Sequence, residues 1–188
     1  MGRSGLVDEA ISAIKRQTDA LRKREAYLSG CRSRLLQYSI VLRNVGGGKK
    51  AELLAAEAMC ILDTIRRIRR CSATLEEALK RLELTEQLPG DLLTYGGAAY
   101  PILEIVSSEL SLLVPEVADE LRQVKGKLSK LVVEASKMLG LNQPAWNWNE
   151  AERILEKVTD EVRRAGQVRE VNRSSKGERL LTGERSSY

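Results

Sequence analysis

"VLRNVGGGKKAELL", residues 41–54, places three glycines and two lysines between two apolar stretches. The outline resembles a phosphate-binding loop, so its reading separates a nucleotide enzyme from a helical protein. A Walker loop needs GxxxxGK[ST], in which backbone amides cradle phosphates and a hydroxyl holds magnesium. Here Lys49 is followed by Lys50 and Ala51, which leaves no hydroxyl, and no apolar strand precedes the glycines. Gly46, Gly47 and Gly48 therefore read as the end of one helix and a reversal of the chain, in backbone conformations that glycine tolerates best.

The flanking segments support that reading. Before the turn an apolar residue recurs every seven positions: Val7, Ile14, Leu21, Leu28, Leu35 and Leu42. After it the period resumes at Leu54, Ile61, Ile68, Leu75 and Leu82. Sustained seven-residue periods predict two long helices with a coiled-coil seam. Folding the chain about Gly48 sets Leu42 against Leu54, Leu35 against Ile61, Leu28 against Ile68, Leu21 against Leu75 and Ile14 against Leu82. The sequence thus predicts a long antiparallel helical hairpin over residues 6–88, with its turn at 46–48. Pro89–Gly90 should stop the second helix, since proline lacks the amide donor and clashes with the turn before it.

"DLLTYGGAAYP", residues 91–101, reads as a turn-rich connector. A third heptad then runs Leu110, Val117, Val124, Leu131 and Met138, predicting helices over about residues 100–139. Pro115 marks a helix start or kink there, and Gly126 a hinge or a close contact. "LNQPAWNWNE" interrupts the pattern, with Asn149 as a cap for a short returning helix at about 149–164. Trp146 and Trp148 read as anchors of that helix on the hairpin. Residues 166–188, polar and aperiodic, read as a flexible tail. The fold class is all-α: a helical core over 1–165, with two or three further helices packing along the hairpin or extending from it.

Composition agrees. The 188 residues are 43% hydrophobic and 30% charged and contain no Phe, so the core is built from Leu, Ile, Val and Ala. Cys31, Cys60 and Cys71 form no CxxC pair, which fits a reducing compartment. No apolar run is long enough to span a bilayer, and the first residues lack the apolar core of a signal peptide. Histidine, the commonest general base and metal ligand, is absent. Glu76–Glu77 and Asp119–Glu120 are adjacent on helices and point about 100° apart, so neither pair converges on a substrate. The reading is non-enzymatic, with no cofactor and no metal.

Charge is uneven: residues 1–50 carry +7 of a total of +5, and the middle of the chain is mildly acidic. In the first helix Lys15, Arg16, Arg22, Lys23 and Arg43 fall on positions facing away from the seam. In "RRIRR", Ile68 points inward and Arg66, Arg67, Arg69 and Arg70 flank it outward; Lys49 and Lys50 extend the charge to the turn. This is either a solvated face or one seeking an anionic partner: acidic lipid, nucleic acid or an acidic protein.

Three stretches, in order, resemble the ESCRT-III family, closest to its archaeal cell-division (Cdv) branch. They are "TLEEALKRLELTEQL" (74–88), "SSELSLLVPEVADELRQVKGKLSKLVVEAS" (107–136) and "NEAERILEKV" (149–158). The resemblance spans roughly residues 10–165. It implies a filament subunit that polymerises with itself and with paralogous subunits on acidic membranes, and helps constrict them in archaeal cell division or vesicle release. The implied location is cytoplasmic, peripheral at the inner face of the membrane and at the division site. Hinges would map to Pro89, Gly90, Pro115 and Gly126. Disassembly in the family uses an AAA+ ATPase that grips a C-terminal motif. No proline follows Pro144, so the Pro-containing form of that motif is not evident, and "GERLLTGER" (177–185) is the helical alternative. From the residues alone, a basic coiled-coil nucleic-acid binder and a non-polymerising helical adaptor stay open.

Overall fold

A computed structural model describes residues 3–85, 89–144 and 146–182, the side chains of 3, 4, 89 and 167–182 excepted. Every regular element among them is helical: α1 (Arg3–Asn44), α2 (Gly48–Glu83), α3 (Pro89–Asp91), a π-helical turn (Leu92–Gly96), α4 (Gly97–Leu110), α5 (Pro115–Met138) and α6 (Trp148–Thr182).

α1 ends as its glycines require. Gly46 has φ +84, a left-handed conformation costly for other residues. The Gly46 amide donates to the Arg43 carbonyl (3.3 Å) and the Gly47 amide to the Leu42 carbonyl (2.8 Å). Together these two bonds form a Schellman cap. Gly140 (φ +72) closes α5 in the same way, its amide bonding to Lys137 and that of Leu141 to Ser136. Gly48, the expected pivot, is already the first residue of α2.

α1 and α2 run antiparallel. Ser39 Oγ donates to the Ala51 carbonyl (2.8 Å). Farther from the turn, Arg69 pairs with Glu25 (2.5 Å), Arg22 with Glu76 (2.9 Å) and Lys15 with Glu83 (2.8 Å). The midpoint of these pairs moves from Val45 beside the turn to Lys49 at the far end.

The pair does not carry the core alone. α5 packs on α1, α4 on both α2 and α5, and α6 on α2 and α4. The contiguous core that this packing forms lies at the end remote from the glycines, while α6 also reaches past it to Leu62 of α2. The contiguous core draws on α1 only between Val7 and Leu21 and on α2 only between Ile68 and Leu82. Leu21, Leu75 and Leu82 are fully buried there with Ile102, Leu110, Leu121 and Leu128. Past Leu21 no residue of α1 is fully buried; Leu28, Leu35 and Leu42 are partly buried, as are Leu54 and Ile61 opposite.

Several boundaries differ from the sequence reading. α2 stops at Glu83 rather than at Pro89, because Thr85 Oγ1 donates to the Leu82 carbonyl (2.6 Å) and the last amides form tight i→i−3 bonds. Residues 86–88 lie outside the described residues. The expected connector at 91–101 is helical. Gly96 serves packing instead: a Cβ there would sit 3.1 Å from Leu92 and 3.3 Å from Val132 of α5. Pro115 is a start rather than a kink, at the first turn of α5 after an extended Val114. α5 continues without a break through Gly126, which is exposed and not closely packed.

α6 is capped earlier than expected. Asn147 rather than Asn149 is the cap, its Oδ1 accepting from the Glu150 amide (3.1 Å). Trp146 stacks on Tyr100 of α4, centroids 4.1 Å apart, whereas Trp148 is exposed. The anchor is therefore α4, not the α1–α2 pair. Pro101, inside α4, has no amide to give the Gly97 carbonyl four residues back. The Asn147 amide fills that place, donating to Gly97 O at 3.0 Å. Helical backbone continues beyond Gly166, where the sequence suggests a tail, to Thr182; residues 183–188 lie outside the described residues.

Candidate anion-binding face

Of the eleven basic residues singled out from sequence, nine fall into three groups and two, Lys15 and Arg22, are tied down on α2. Arg43, Lys49 and Lys50 surround the Schellman turn, fully on the surface, and make no ion pair among the described residues. Large apolar side chains lie exposed beside them: Ile40, Val41, Val45 and Leu53, with Tyr38 and Met59 farther along. This end of the helix pair is both apolar and cationic because no third helix covers it.

Arg16 and Lys23 form the second group, on the side of α1 that meets α5. They line an open groove of about 670 Å³ with Arg24 and Tyr27 on the near wall and Glu116 and Glu120 on the far one. The Arg24 guanidinium lies 5.7 Å from the Tyr27 ring centroid. Lys15 and Arg22, on the opposite edge of α1, are tied to Glu83 and Glu76 of α2.

The third group is "RRIRR". Ile68 is fully buried, as expected. Its arginines are not all outward. Arg69 is largely covered and bonded to Glu25, while Arg70 and Arg67 converge on Glu109 of α4, Arg67 at 3.4 Å. Arg66 pairs with Asp63 one turn back (3.1 Å). A scan along one helix finds few interleaved acids; the fold supplies them from α1, α2 and α4. The uniform basic stripe read from sequence is thus divided into paired and unpaired segments.

Two further arginines join this group. Arg32 of α1 and Arg163 of α6 line, with the four arginines of α2, a recess of about 570 Å³. The signal for Arg32 was in the register: the pairing that sets Leu28 against Ile68 brings Arg32 beside the start of "RRIRR". Arg163 had none, since nothing in sequence places α6 against this part of α2.

Two other groups have shifted protonation. Burial, reinforced by the neighbouring Glu109 charge, pushes the Cys71 thiol up to about 12, so it is no nucleophile near neutrality. The hydrogen bond from Lys80 (2.6 Å), aided by Arg81, holds the Glu77 carboxyl below the usual glutamate range against the opposing effect of burial. Arg81 also reaches Glu150 of α6 (2.9 Å), joining α2 to the last helix.

Pro89 and Gly90 open α3, Pro115 opens α5 and Gly126 lies within it; the four expected hinges share no common site. Among the described residues no cluster of three or more His, Cys, Asp or Glu could hold a metal, and no helix is long and apolar enough to cross a membrane. Comparison with known proteins returns no matching family model, no matching curated protein and no matching solved structure.

Proposed function

We propose that the chain is an ESCRT-III-like subunit that assembles with copies of itself and with paralogous subunits at acidic membrane surfaces and takes part in their constriction, as in archaeal cell division. On this reading the α1–α2 pair is the family's helical hairpin, and the protein acts peripherally at the cytoplasmic face. An AAA+ ATPase would be its disassembly partner. One observation carries the reading: the turn end of the pair leaves Ile40, Val41, Val45 and Leu53 exposed beside Arg43, Lys49 and Lys50, which make no ion pair among the described residues. Apolar side chains flanked by free cations suit the headgroup boundary of an anionic bilayer. The seam of Leu35 and Leu42 on α1 with Leu54 and Ile61 on α2, only partly buried and outside the contiguous core, keeps some apolar surface that a second copy could cover.

The test is co-sedimentation with anionic and neutral vesicles at low salt, with electron microscopy of the pellets. Binding should require acidic lipid, and filaments or coated tubules should appear. Each basic residue near an anionic surface contributes about 1 kcal/mol, so reversing Arg43, Lys49 and Lys50 to Glu should weaken binding by about 100-fold or more. A strict monomer that ignores acidic vesicles would overturn the proposal. Tighter, salt-sensitive binding to nucleic acid would favour the coiled-coil nucleic-acid reading instead.

A further inference from the structure

We infer that the arginine-lined recess between α1, α2 and α6 is a binding site for a small organic phosphate carrying at least two negative charges. It lies away from the glycine turn, and the inference does not depend on the membrane reading.

The recess takes Arg66, Arg67, Arg69 and Arg70 from α2, Arg32 from α1 and Arg163 from α6, and no carboxylate lines it among the described residues. The acids that pair with these arginines approach from elsewhere. Leaving aside Arg66 with its Asp63, five guanidiniums meet three carboxylates among the described residues: Glu25, Glu109 and Asp160. Asp160 reaches Arg163 at only 3.9 Å, and Glu109 is shared by Arg67 and Arg70. Among the described residues this leaves two more positive charges than carboxylates in a concave site, an excess that favours a dianion.

Arg32 adds a separate observation. It makes no ion pair among the described residues, and its Nε is shut off from solvent with no hydrogen-bond acceptor. A ligand in the recess cannot reach that covered Nε; it would meet the terminal nitrogens of the Arg32 guanidinium, whose charge has no carboxylate partner among the described residues. Phosphate oxygens match a guanidinium in charge and in two-pronged geometry, and bind it more strongly than a neutral acceptor does.

Size and lining define the rest of the ligand. A recess of about 570 Å³ lies within the roughly 300–1,000 Å³ typical of small-molecule sites, so an organic portion accompanies the phosphate. Leu62, Ile65 and Val162 give it an apolar wall. Ser33 and Thr159 donate their hydroxyl protons to their own helices, to Ser29 O (3.0 Å) and Leu155 O (2.7 Å). Their remaining lone pairs can only accept, which suits a hydroxylated ligand such as a sugar phosphate or nucleotide. A phospholipid headgroup presents the same chemistry, and the experiment separates the two sources.

The full chain is titrated calorimetrically, without lipid, with fructose 1,6-bisphosphate, ATP and inorganic pyrophosphate; vesicles with and without phosphatidic acid form a second arm. Binding of a soluble phosphate at one per chain, with a rise in Tm, supports a soluble ligand. Binding confined to phosphatidic acid vesicles and dependent on Arg32 supports a headgroup. In either arm Arg32→Gln and, separately, the surface change Arg163→Gln should weaken binding by about tenfold or more, with helicity preserved. Lys49→Gln/Lys50→Gln should leave the soluble phosphates' binding unchanged. No binding in either arm, equal binding by Arg32→Gln and Arg163→Gln, or many ions per chain lost equally in the Lys49/Lys50 variant would overturn the site. So would duplex DNA binding more tightly than every phosphate probe.

Discussion

Leu21 and Leu35 stand two heptads apart in the same row of the same helix, and Leu→Ala at either has the same effect on helix propensity. Their surroundings differ. Leu21 is fully buried where α1 meets the other helices; Leu35 is only partly buried and lies outside the contiguous core. Truncating a fully buried leucine costs about 2–5 kcal/mol, the lost transfer term plus the cavity. At Leu35 the cavity is open to water and part of the side chain is already solvated, so about 1 kcal/mol is expected. For a chain of this size each kcal/mol moves Tm by about 2–4 °C, which separates the variants by roughly 5–10 °C. Urea and thermal unfolding followed by far-ultraviolet circular dichroism, at low micromolar concentration to limit self-association, measures both. A difference under about 1 kcal/mol would refute the placement of the core at the end remote from the glycines.

Gly126→Ala should stabilise the protein by about 1 kcal/mol in the same assay, because Gly126 is exposed within α5 and an added Cβ meets nothing within 4 Å; destabilisation would mean that the glycine is needed as a hinge or a contact. Under native conditions at pH 8, iodoacetamide should modify exposed Cys60 first and leave Cys71 unreacted, since burial keeps that thiol protonated; peptide mass spectrometry would detect the reverse order. Glu77, held below its ordinary range by Lys80, stabilises the fold above the usual glutamate pKa of about 4.3, and that contribution is lost as pH falls through the lower native value. Glu77→Gln should therefore flatten stability between about pH 5 and 3 while lowering it at pH 7; an unchanged acid limb would show that the Lys80 and Arg81 bonds do not form in solution.

The helical class and the reversal at the glycines were legible because they rest on local signals. Seven-residue periods mark the seam of each long helix, and Gly46 occupies the left-handed position that a Schellman cap requires. The rest depends on what lies across a helix rather than along it. Val7 to Leu42 form one unbroken row in sequence, yet burial fades after Leu21, and nothing in the row says where α4, α5 and α6 will stop. Gly96 looked like a turn residue because a missing side chain serves a bend and a close helix contact equally well; Val132 decides between them. Arg69 and Arg70 read as outward charges until Glu25 and Glu109, 44 and 39 positions away, supply their partners. Asn147 and Asn149 are both good caps by residue type, and the Asn147 contact with Gly97 selects the earlier one.

That contact couples two segments far apart in the chain. Pro101 leaves α4 one backbone bond short, and the donor that completes the helix lies 46 residues after Pro101 in the chain, at Asn147. The ladder of α4 is therefore complete only with the segment leading into α6 docked on it, where Trp146 also stacks on Tyr100. The two helices should open and close as one cooperative unit, and the Asn147 amide should exchange with solvent deuterium at the rate of that unit rather than at the rate of a loop. A gap that would weaken an isolated helix here ties α4 to a segment distant in the chain.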